Sequence, residues 1–331
     1  MASSRQGNVF AGAESGGLFR RPIGNGGSWE NVTAGLPRAA SVRAIAVHPQ
    51  DPDTIFVGTQ HGPFRSRDGG ARFERLEFAD TYMVGWSFQF DPHSPDVVYF
   101  GTSPAQVYRS DNCGDSWQSL GLNQGSDVVT MDFPTRLIAI AVDPADSNLI
   151  YAALEVGGVV RSRDGGITWQ DCKEGMAPDE GKLDMHGIVT SPATPGSVYI
   201  TTRPGPFTSD DQGDTWEFVD MSGISPITYT REMKLAPDDP NTIYVAMGRA
   251  AVSHAGALWR TRDLMNTWER MDHGFEAKST MMSVDINRNR PEQVFCATRG
   301  GEVFGTLDDG ATWSAYPLPE HVREVRAVAC G

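Results

Sequence analysis

The chain has 331 residues, including 36 glycines and 21 prolines, and it carries a formal net charge of −14. This charge opposes nucleic acid or an anionic membrane surface as the main partner. No apolar run reaches membrane-spanning length, and the N-terminus lacks the apolar segment of a signal peptide, so we predict a soluble cytoplasmic protein.

The predicted elements begin with three strands between Asn8 and Trp29 that have no first strand ahead of them. The next stretch contains four short apolar runs, at 42–47, 54–57, 64–66 and 73–76, whose length and β-branched and aromatic content predict strands. Turns that contain proline separate such runs. The same four-strand unit then recurs at a spacing of about 45 to 50 residues, which predicts a repeat fold.

A turn motif, Ser/Thr-x-Asp-x-Gly-x-Thr/Ser-Trp, accompanies each unit. Three copies are complete and end at Trp169, Trp216 and Trp313. Four weaker copies lie at 24–29, 66–73, 110–117 and 261–268, and Met265 stands where the last of these should have glycine. The acidic or amide side chain binds amides of its own turn, glycine allows a positive φ, and the tryptophan packs into the blade below, so we predict a structural role for the motif.

The last predicted element, His321 to Ala329, matches the pattern of a first strand. Because the N-terminal unit lacks that strand, we expect this segment to complete it and to close a ring without a free sheet edge. The predicted fold is all-β, a seven-bladed β-propeller of four-stranded antiparallel blades, forming one domain over residues 1–331. The four cysteines fall in different blades without metal-ligand or disulfide spacing, which fits a reducing compartment.

The turn motif resembles the Asp-box, the BNR repeat of sialidases, sortilin-type receptors, xyloglucan-hydrolysing enzymes and photosystem assembly factors. The resemblance spans the whole chain and indicates a superfamily without a specific member. For a sialidase it implies an arginine triad that binds a substrate carboxylate, a Tyr/Glu nucleophile pair and an Asp acid. The segment Phe19 to Pro22 resembles the sialidase signature Phe-Arg-Ile-Pro, but it occupies a third strand where the signature belongs to a first strand. We therefore do not transfer the sialidase residues to this chain.

Candidate ligand-binding residues come from the loops that join second to third strands, because propellers bind ligands on the axis at this face. The equivalent position in the seven repeats holds Glu14, Gln60, Ser103, Glu155, Arg203, Arg249 and Arg299. The three consecutive arginines predict an arc, flanked by Glu155 and Glu14, that could bind a carboxylate or a phosphate through two hydrogen bonds each. Alternatively, the arginines pair with neighbouring carboxylates and fill the loop layer.

A second circle of candidates lies at the starts of the first strands, and it comprises Arg43, Trp86, Ile138, His186, Arg231, Met282 and Arg326. The arginines of this circle would add positive charge, and Trp86 would supply a stacking wall. His186 would be the one base in the circle that titrates near neutral pH. A purely structural histidine is the alternative for His186. Long loops at the same face add Tyr82 and Tyr229, and His61 is predicted to face the same side.

Three functions remain open. The first is an enzyme that binds a small anionic molecule, bearing a carboxylate or phosphate, and catalyses hydrolysis or elimination with Glu14, Glu155 or His186 moving protons. The second is a non-catalytic propeller that binds or assembles proteins. The third is a glycoside hydrolase, with the sialidase-like type suggested by the resemblance. Most glycoside hydrolases need two facing carboxylates, for which Glu14 and Glu155 are the candidates.

No cofactor is predicted for any of these functions. A divalent metal held by His61, His186, His254 and a glutamate is an alternative, although no short-range ligand motif supports it. The substrate and the oligomeric state are not predicted.

Overall fold

The computed structural model describes residues 7–24, 26–78, 82–122, 132–176 and 183–331. Within these ranges, 28 β-strands form seven four-stranded antiparallel sheets, which confirms the predicted seven-bladed propeller. No helix in the described ranges is both long enough and apolar enough to cross a membrane.

The strands are numbered in chain order, and each blade is numbered by its position along the chain. The first blade contains β1 (Asn8–Ser15), β2 (Gly17–Pro22) and β3 (Glu30–Asn31). Blades two to four contain β4 (Val42–Val47), β5 (Ile55–Thr59), β6 (Gly62–Ser66), β7 (Glu74–Arg75), β8 (Val84–Phe90), β9 (Val98–Ser103), β10 (Val107–Ser110), β11 (Gln118–Ser119), β12 (Arg136–Val142), β13 (Ile150–Glu155), β14 (Gly158–Ser162) and β15 (Gln170–Cys172).

Blades five to seven contain β16 (Met185–Thr190), β17 (Val198–Thr202), β18 (Pro206–Ser209), β19 (Glu217–Phe218), β20 (Tyr229–Leu235), β21 (Ile243–Gly248), β22 (Gly256–Thr261), β23 (Glu269–Arg270), β24 (Met281–Ile286), β25 (Val294–Thr298), β26 (Val303–Thr306) and β27 (Ser314–Ala315). The last strand, β28 (Arg323–Cys330), belongs to the first blade, where it pairs with β1.

Burial decreases from the middle of each blade to its outer edge. Every residue of β5, β9, β17, β21 and β25, the second strands of five blades, is buried. These runs of β-branched and aromatic residues are typical of strands covered on both faces. The short outer strands are exposed, as in β3 and β7. The hydrophobic core therefore lies between adjacent blades, as where Val9 and Ala11 share a cluster with Phe295 and Ala297 of the seventh blade.

The closing strand pairs with β1 in an antiparallel register that runs from Val9 opposite Cys330 to Ser15 opposite Arg323. Beyond the strand ends, the Asn8 amide donates to the Gly331 carbonyl at 2.7 Å, and the Gly331 amide donates back at 3.0 Å. The predicted closure of the ring by the C-terminal strand is therefore confirmed.

The turn motif has the structural role predicted from its sequence. In the copy that ends at Trp169, the carboxylate of Asp164 accepts hydrogen bonds from the Thr168 hydroxyl at 2.6 Å, the Thr168 amide at 2.9 Å and the Ser162 hydroxyl at 2.7 Å. These bonds lower the pKa of Asp164 to about 2. Gly166 has a φ of +94°, and the Trp169 indole donates to the Leu120 carbonyl of the preceding blade. All of these groups serve the fold.

Buried arginines also link adjacent blades, and the sequence analysis missed them. Arg65, Arg161 and Arg260 occupy third strands, and their side chains are 6%, 3% and 7% exposed. Arg161 reaches the next blade, where it donates to the Gln212 carbonyl and lies 2.7 Å from Asp214. The sequence contains a pattern that could have identified them, because each of these arginines directly precedes the Ser or Thr that opens a turn motif.

Candidate functional site

A pocket of about 800 Å³ lies on the propeller axis, at the face formed by the loops between second and third strands. All seven positions of the second predicted circle line it. Their first strands converge on the axis, so that equivalent residues face one another across the cavity. The loops contribute Glu155, Arg203, Arg249 and Arg299 to the same lining.

The pocket is strongly cationic in an acidic protein. Its described lining contains seven arginines and Lys234 against three carboxylates, those of Glu155, Asp184 and Glu232. Partly enclosed walls strengthen the field of such a cluster relative to bulk water. The local charge is therefore opposite in sign to the net charge of −14.

Several of these arginines are engaged by carboxylates. Glu14 binds Arg43 at 2.8 Å and Arg326 at 3.0 Å. Burial alone would raise the pKa of Glu14. The two guanidiniums have the larger combined effect, so the pKa lies below its ordinary value. Glu324 binds Arg299 at 2.9 Å and Arg326 at 3.1 Å. On this side of the pocket, the alternative of arginines paired with carboxylates therefore holds.

Arg203 and Arg249 differ from these arginines, because no carboxylate of the described residues lies within ion-pair distance of either guanidinium. Both side chains are exposed and line the pocket. They occupy equivalent loops of the fifth and sixth blades, after β17 and β21. This pair is the part of the predicted arc whose charge is left available to a ligand.

Two guanidinium groups lie over the ring of Trp86. The guanidinium carbon of Arg43 lies 4.7 Å from its ring centroid, and that of Arg136 lies 4.6 Å away. Arg136 in turn pairs with Glu155 at 2.6 Å. Because cations favour the faces of an indole, this arrangement holds both arginines at the wall. Trp86 is predicted from the sequence to provide an apolar or stacking wall, and in the structure its ring contacts the two guanidiniums.

His186 belongs to a buried polar group in the pocket wall. Its Nδ1 lies 2.6 Å from the Thr230 carbonyl oxygen, and its Nε2 lies 3.4 Å from the Tyr229 hydroxyl and 3.5 Å from Asp184 Oδ1. The Tyr229 oxygen also accepts a hydrogen bond from Arg231 Nη1 at 3.2 Å. Burial, assisted by the charge of Arg231, lowers the pKa of His186. The imidazole is therefore neutral at neutral pH.

Three predicted site residues do not line the pocket. Glu14 lies behind Arg43 and Arg326, so its carboxylate serves those guanidiniums. Tyr82 is 79% exposed to solvent, and His61 is exposed in the turn between β5 and β6. The alignment of repeats located the loops correctly, but it could not tell which way each side chain points.

The structure does not assemble the metal site considered from the sequence. In the described part of the chain, His61 and His254 are exposed, while His186 is buried against Thr230 and Tyr229. A different trio, His48, Asp96 and Cys113, does lie close together.

The His48 ring is unsuited to hold a metal ion with this trio. Its Nδ1 accepts hydrogen bonds from the amides of Gln50 and Asp51 at 3.3 and 3.1 Å. A neutral imidazole that accepts at Nδ1 carries its proton on Nε2, the nitrogen that faces Asp96. A metal ligand needs that nitrogen unprotonated.

A group of acidic and basic side chains lies deeper along the axial channel, toward the mouth opposite the pocket. Lys234 Nζ lies 3.2 Å from Glu232 Oε1, and Asp285 Oδ2 accepts a hydrogen bond from the Cys330 amide at 2.8 Å. Burial raises the pKa of Asp285 to about 6, although Lys234 and the Cys330 amide oppose the shift. The folded protein therefore binds a proton at Asp285 more tightly than the unfolded chain does.

This difference predicts a pH dependence of stability. Because the folded-state pKa is raised, the free energy of unfolding should fall as the pH rises from the ordinary value of 3.8 to about 6. The Asp285→Asn variant keeps the acceptor for Cys330 and should lose this component, about 3 kcal/mol at about 1.4 kcal/mol per pKa unit. Urea unfolding of both proteins across this range measures it. Parallel pH profiles for the two proteins would contradict the prediction.

Three further residues of the site are not among those predicted from the sequence. Arg136 and Asp184 line the pocket, and Glu324 binds two of its arginines. The repeat pattern points to Asp184. This residue lies two positions before His186 at the start of a first strand, which is the same offset that separates Ser41 from Arg43 in another repeat. Comparing the position two residues before the second circle across the repeats would also have found Glu324, which lies two residues before Arg326.

Comparison with known proteins supports the fold. No protein-family model matches the chain. A xyloglucanase from Paenibacillus sp is 26% identical over 316 aligned positions, which cover 80% of this chain and 30% of the relative. The chain thus spans less than a third of that relative's length.

Solved structures give the same architecture. The GH74 enzyme of Niastella koreensis superposes with a TM-score of 0.66 at 17% identity, covering 92% of this chain and 46% of that one. YCF48 from Cyanidioschyzon merolae superposes with a TM-score of 0.58 at 17% identity, covering 88% of both chains. At these identities the likeness establishes the propeller fold alone.

Proposed function

We propose that this propeller is an enzyme that acts on an acidic carbohydrate bound in its axial pocket. The observation that carries the proposal is the unpaired state of Arg203 and Arg249 among the described residues of a strongly cationic pocket. A guanidinium fork matches the planar geometry of a carboxylate and binds it through two hydrogen bonds. An anionic ligand would therefore complete the site.

The carbohydrate part of the proposal is supported by the sequence relative whose name is xyloglucanase. Its similarity covers 80% of this chain, so it includes most of the blades. Because this chain spans 30% of that relative, only the chemical class of the substrate is carried over, and the acidic character comes from the pocket.

Hydrolysis of a neutral glycan is a second candidate, favoured by the relative's name. It requires two carboxyl groups across the scissile bond, one of them protonated. Glu155 is held by Arg136, and Glu232 is held by Lys234 and by hydrogen bonds from the Ser283 hydroxyl and the Val284 amide. The guanidiniums of Arg43 and Arg136 lie over the Trp86 ring, where a neutral sugar would otherwise stack. The pocket therefore favours an acidic ligand.

Binding of oligogalacturonate, its methyl ester and a neutral xyloglucan oligosaccharide, measured by calorimetry, tests the proposal. We expect the acid to bind and the ester to bind about 10- to 100-fold more weakly, because a hydrogen bond to a charged group contributes about 1.5–3 kcal/mol and about 1.4 kcal/mol corresponds to a factor of ten. The ester is a matched control, since it keeps the sugar ring and removes the charge.

Two results would overturn the proposal. Equal binding of acid and ester would remove the role of charge, and preferential binding of the xyloglucan oligosaccharide would favour the neutral hydrolase. If none of the three saccharides binds, the carbohydrate assignment fails, and the protein-binding propeller becomes the better hypothesis.

A further inference from the structure

The hydrogen-bond partners of His186 fix the position of its proton. The Thr230 carbonyl oxygen can only accept, and it lies 2.6 Å from Nδ1, so Nδ1 carries the hydrogen. In the neutral ring, Nε2 is then unprotonated. It faces the Tyr229 hydroxyl at 3.4 Å, and it can accept the phenolic proton.

Asp184 is placed to stabilise an additional proton on Nε2 of His186. Its Oδ1 lies 3.5 Å from Nε2 and is buried, and no described residue donates a hydrogen bond to it. A buried carboxylate oxygen without a partner is costly, and a proton on Nε2 would supply the missing donor. The imidazolium would thus be stabilised at the moment it forms.

Arg231 acts on the other side of Tyr229. Its Nη1 donates to the phenolic oxygen at 3.2 Å, and its Nε has no hydrogen-bond partner in the structure. A cationic donor stabilises a phenolate. Tyr229 therefore has a base on one side and a stabilising cation on the other, and it lines the axial pocket.

This group is tied to the proposed anion-binding residues. The Arg203 amide donates to the Asp184 carbonyl at 3.2 Å, so the loop that carries Arg203 is joined to the start of β16. Arg203 also lines the pocket with Tyr229. A ligand whose carboxylate binds Arg203 would lie in the same cavity as the phenolic oxygen.

We infer that Tyr229, assisted by His186, Asp184 and Arg231, catalyses β-elimination from an acidic polysaccharide whose sugar carboxylate is bound by the free arginines. The inference rests on the proposed function. A carboxylate held by arginines makes the proton on the adjacent carbon easier to remove, because the developing negative charge spreads onto the neutralised group. In a uronic acid chain, that carbon lies next to the carbon that carries the glycosidic oxygen.

The step balances without a cofactor or water. The tyrosine oxygen takes the proton from the carbon next to the carboxylate, while the phenolic proton moves to His186 Nε2. The electron pair of the broken C–H bond forms a C=C bond, and the neighbouring C–O bond breaks. The leaving oxygen takes the proton from Tyr229, and His186 then returns its proton to the tyrosine. One chain becomes two, and one of them ends in an unsaturated sugar.

Turnover of oligogalacturonate by the wild-type protein and the Tyr229→Phe variant tests the inference, with the ultraviolet absorbance of the conjugated product as readout. General acid and base groups contribute about 10²- to 10⁴-fold, so we expect kcat to fall by at least about 100-fold. The dissociation constant, measured by calorimetry, should change less than about threefold, because the variant keeps the ring. The exposed Tyr82→Phe substitution is the matched control and should behave as wild type.

Asp184→Asn tests the positioning role of that side chain. We expect a lower kcat with an unchanged dissociation constant, because Asp184 acts on His186 and not on the ligand. Loss of folding would alter both quantities and the melting temperature.

The outcomes separate this inference from the proposed function. Oligogalacturonate that binds without forming an unsaturated product, or that is cut into saturated fragments, overturns the elimination while leaving acidic binding intact. Unchanged kcat in Tyr229→Phe overturns the role of the tyrosine. Absence of binding is instead a failure of the proposed function.

Discussion

Replacing Arg203 and Arg249 together by glutamine should weaken the binding of oligogalacturonate by at least about 100-fold. Each guanidinium is expected to form charge-assisted hydrogen bonds worth about 1.5–3 kcal/mol, and about 1.4 kcal/mol corresponds to a factor of ten. Neither side chain pairs with a carboxylate of the described residues, so among these residues the substitution leaves no acid without its partner. The melting temperature should therefore stay near the wild-type value while the dissociation constant rises.

Arg288→Gln supplies the control, because Arg288 is an exposed arginine at the opposite mouth of the channel. It removes the same charge without touching the proposed site, and binding should be unchanged. Arg326 would be a poor choice for such a test, since its loss leaves Glu14 and Glu324 with fewer cations. If the double variant bound oligogalacturonate as tightly as wild type does, the two arginines would not be part of the binding site.

The second circle of residues was predictable because a propeller repeats its geometry. Once the turn motifs fix the register, the starts of seven first strands must converge, and even Ile138 and Met282, which carry no charge, line the pocket. The closing strand was predictable for a similar reason, since three N-terminal strands lacked a partner and one C-terminal strand was left over. Backbone position follows from the repeat.

Side-chain direction and pairing do not follow from the repeat. Glu14 occupies the loop position equivalent to Arg203, yet it does not line the cavity, because its carboxylate binds Arg43 and Arg326, which do line it. The same alignment could not show that Glu324 neutralises Arg299 while no acid of the described residues pairs with Arg203 or Arg249. These differences depend on residues more than 20 positions away in the sequence, such as Glu324 for Arg299, and only the folded ring brings them together.

Charge and geometry together distinguish the two sides of the pocket. On the side of the first blade, the guanidiniums form ion pairs with carboxylates. These ion pairs hold the side chains of this wall in place. On the side of the fifth and sixth blades, Arg203 and Arg249, which pair with no carboxylate of the described residues, adjoin the group formed by Tyr229, His186, Asp184 and Arg231, where a buried acceptor finds no donor among those residues. Two of the buried atoms that find no hydrogen-bond partner among the described residues, Asp184 Oδ1 and Arg231 Nε, belong to this group.

Deleting residues 323–331 should abolish the cooperative folding of this chain. The deletion removes β28, exposes the backbone edge of β1, and uncovers the cluster that contains Val325 and Val328, which are 0% and 3% exposed. Burial of two valines contributes about 3–6 kcal/mol, which is comparable with the total stability of about 5–15 kcal/mol of a typical domain. Urea unfolding followed by tryptophan fluorescence should show no sigmoidal transition for the shortened chain.

A synthetic peptide of residues 321–331, added to the shortened chain, should restore the transition in a concentration-dependent way, because an added strand can pair with an exposed sheet edge. The same peptide with Val325→Asp is the matched control, and it should fail, since it would bury an unpaired charge in the cluster. Restoration by both peptides would mean that backbone pairing alone closes the ring. A shortened chain that unfolds at the wild-type urea midpoint would show that β28 contributes nothing to stability, contrary to the pairing seen between β1 and β28.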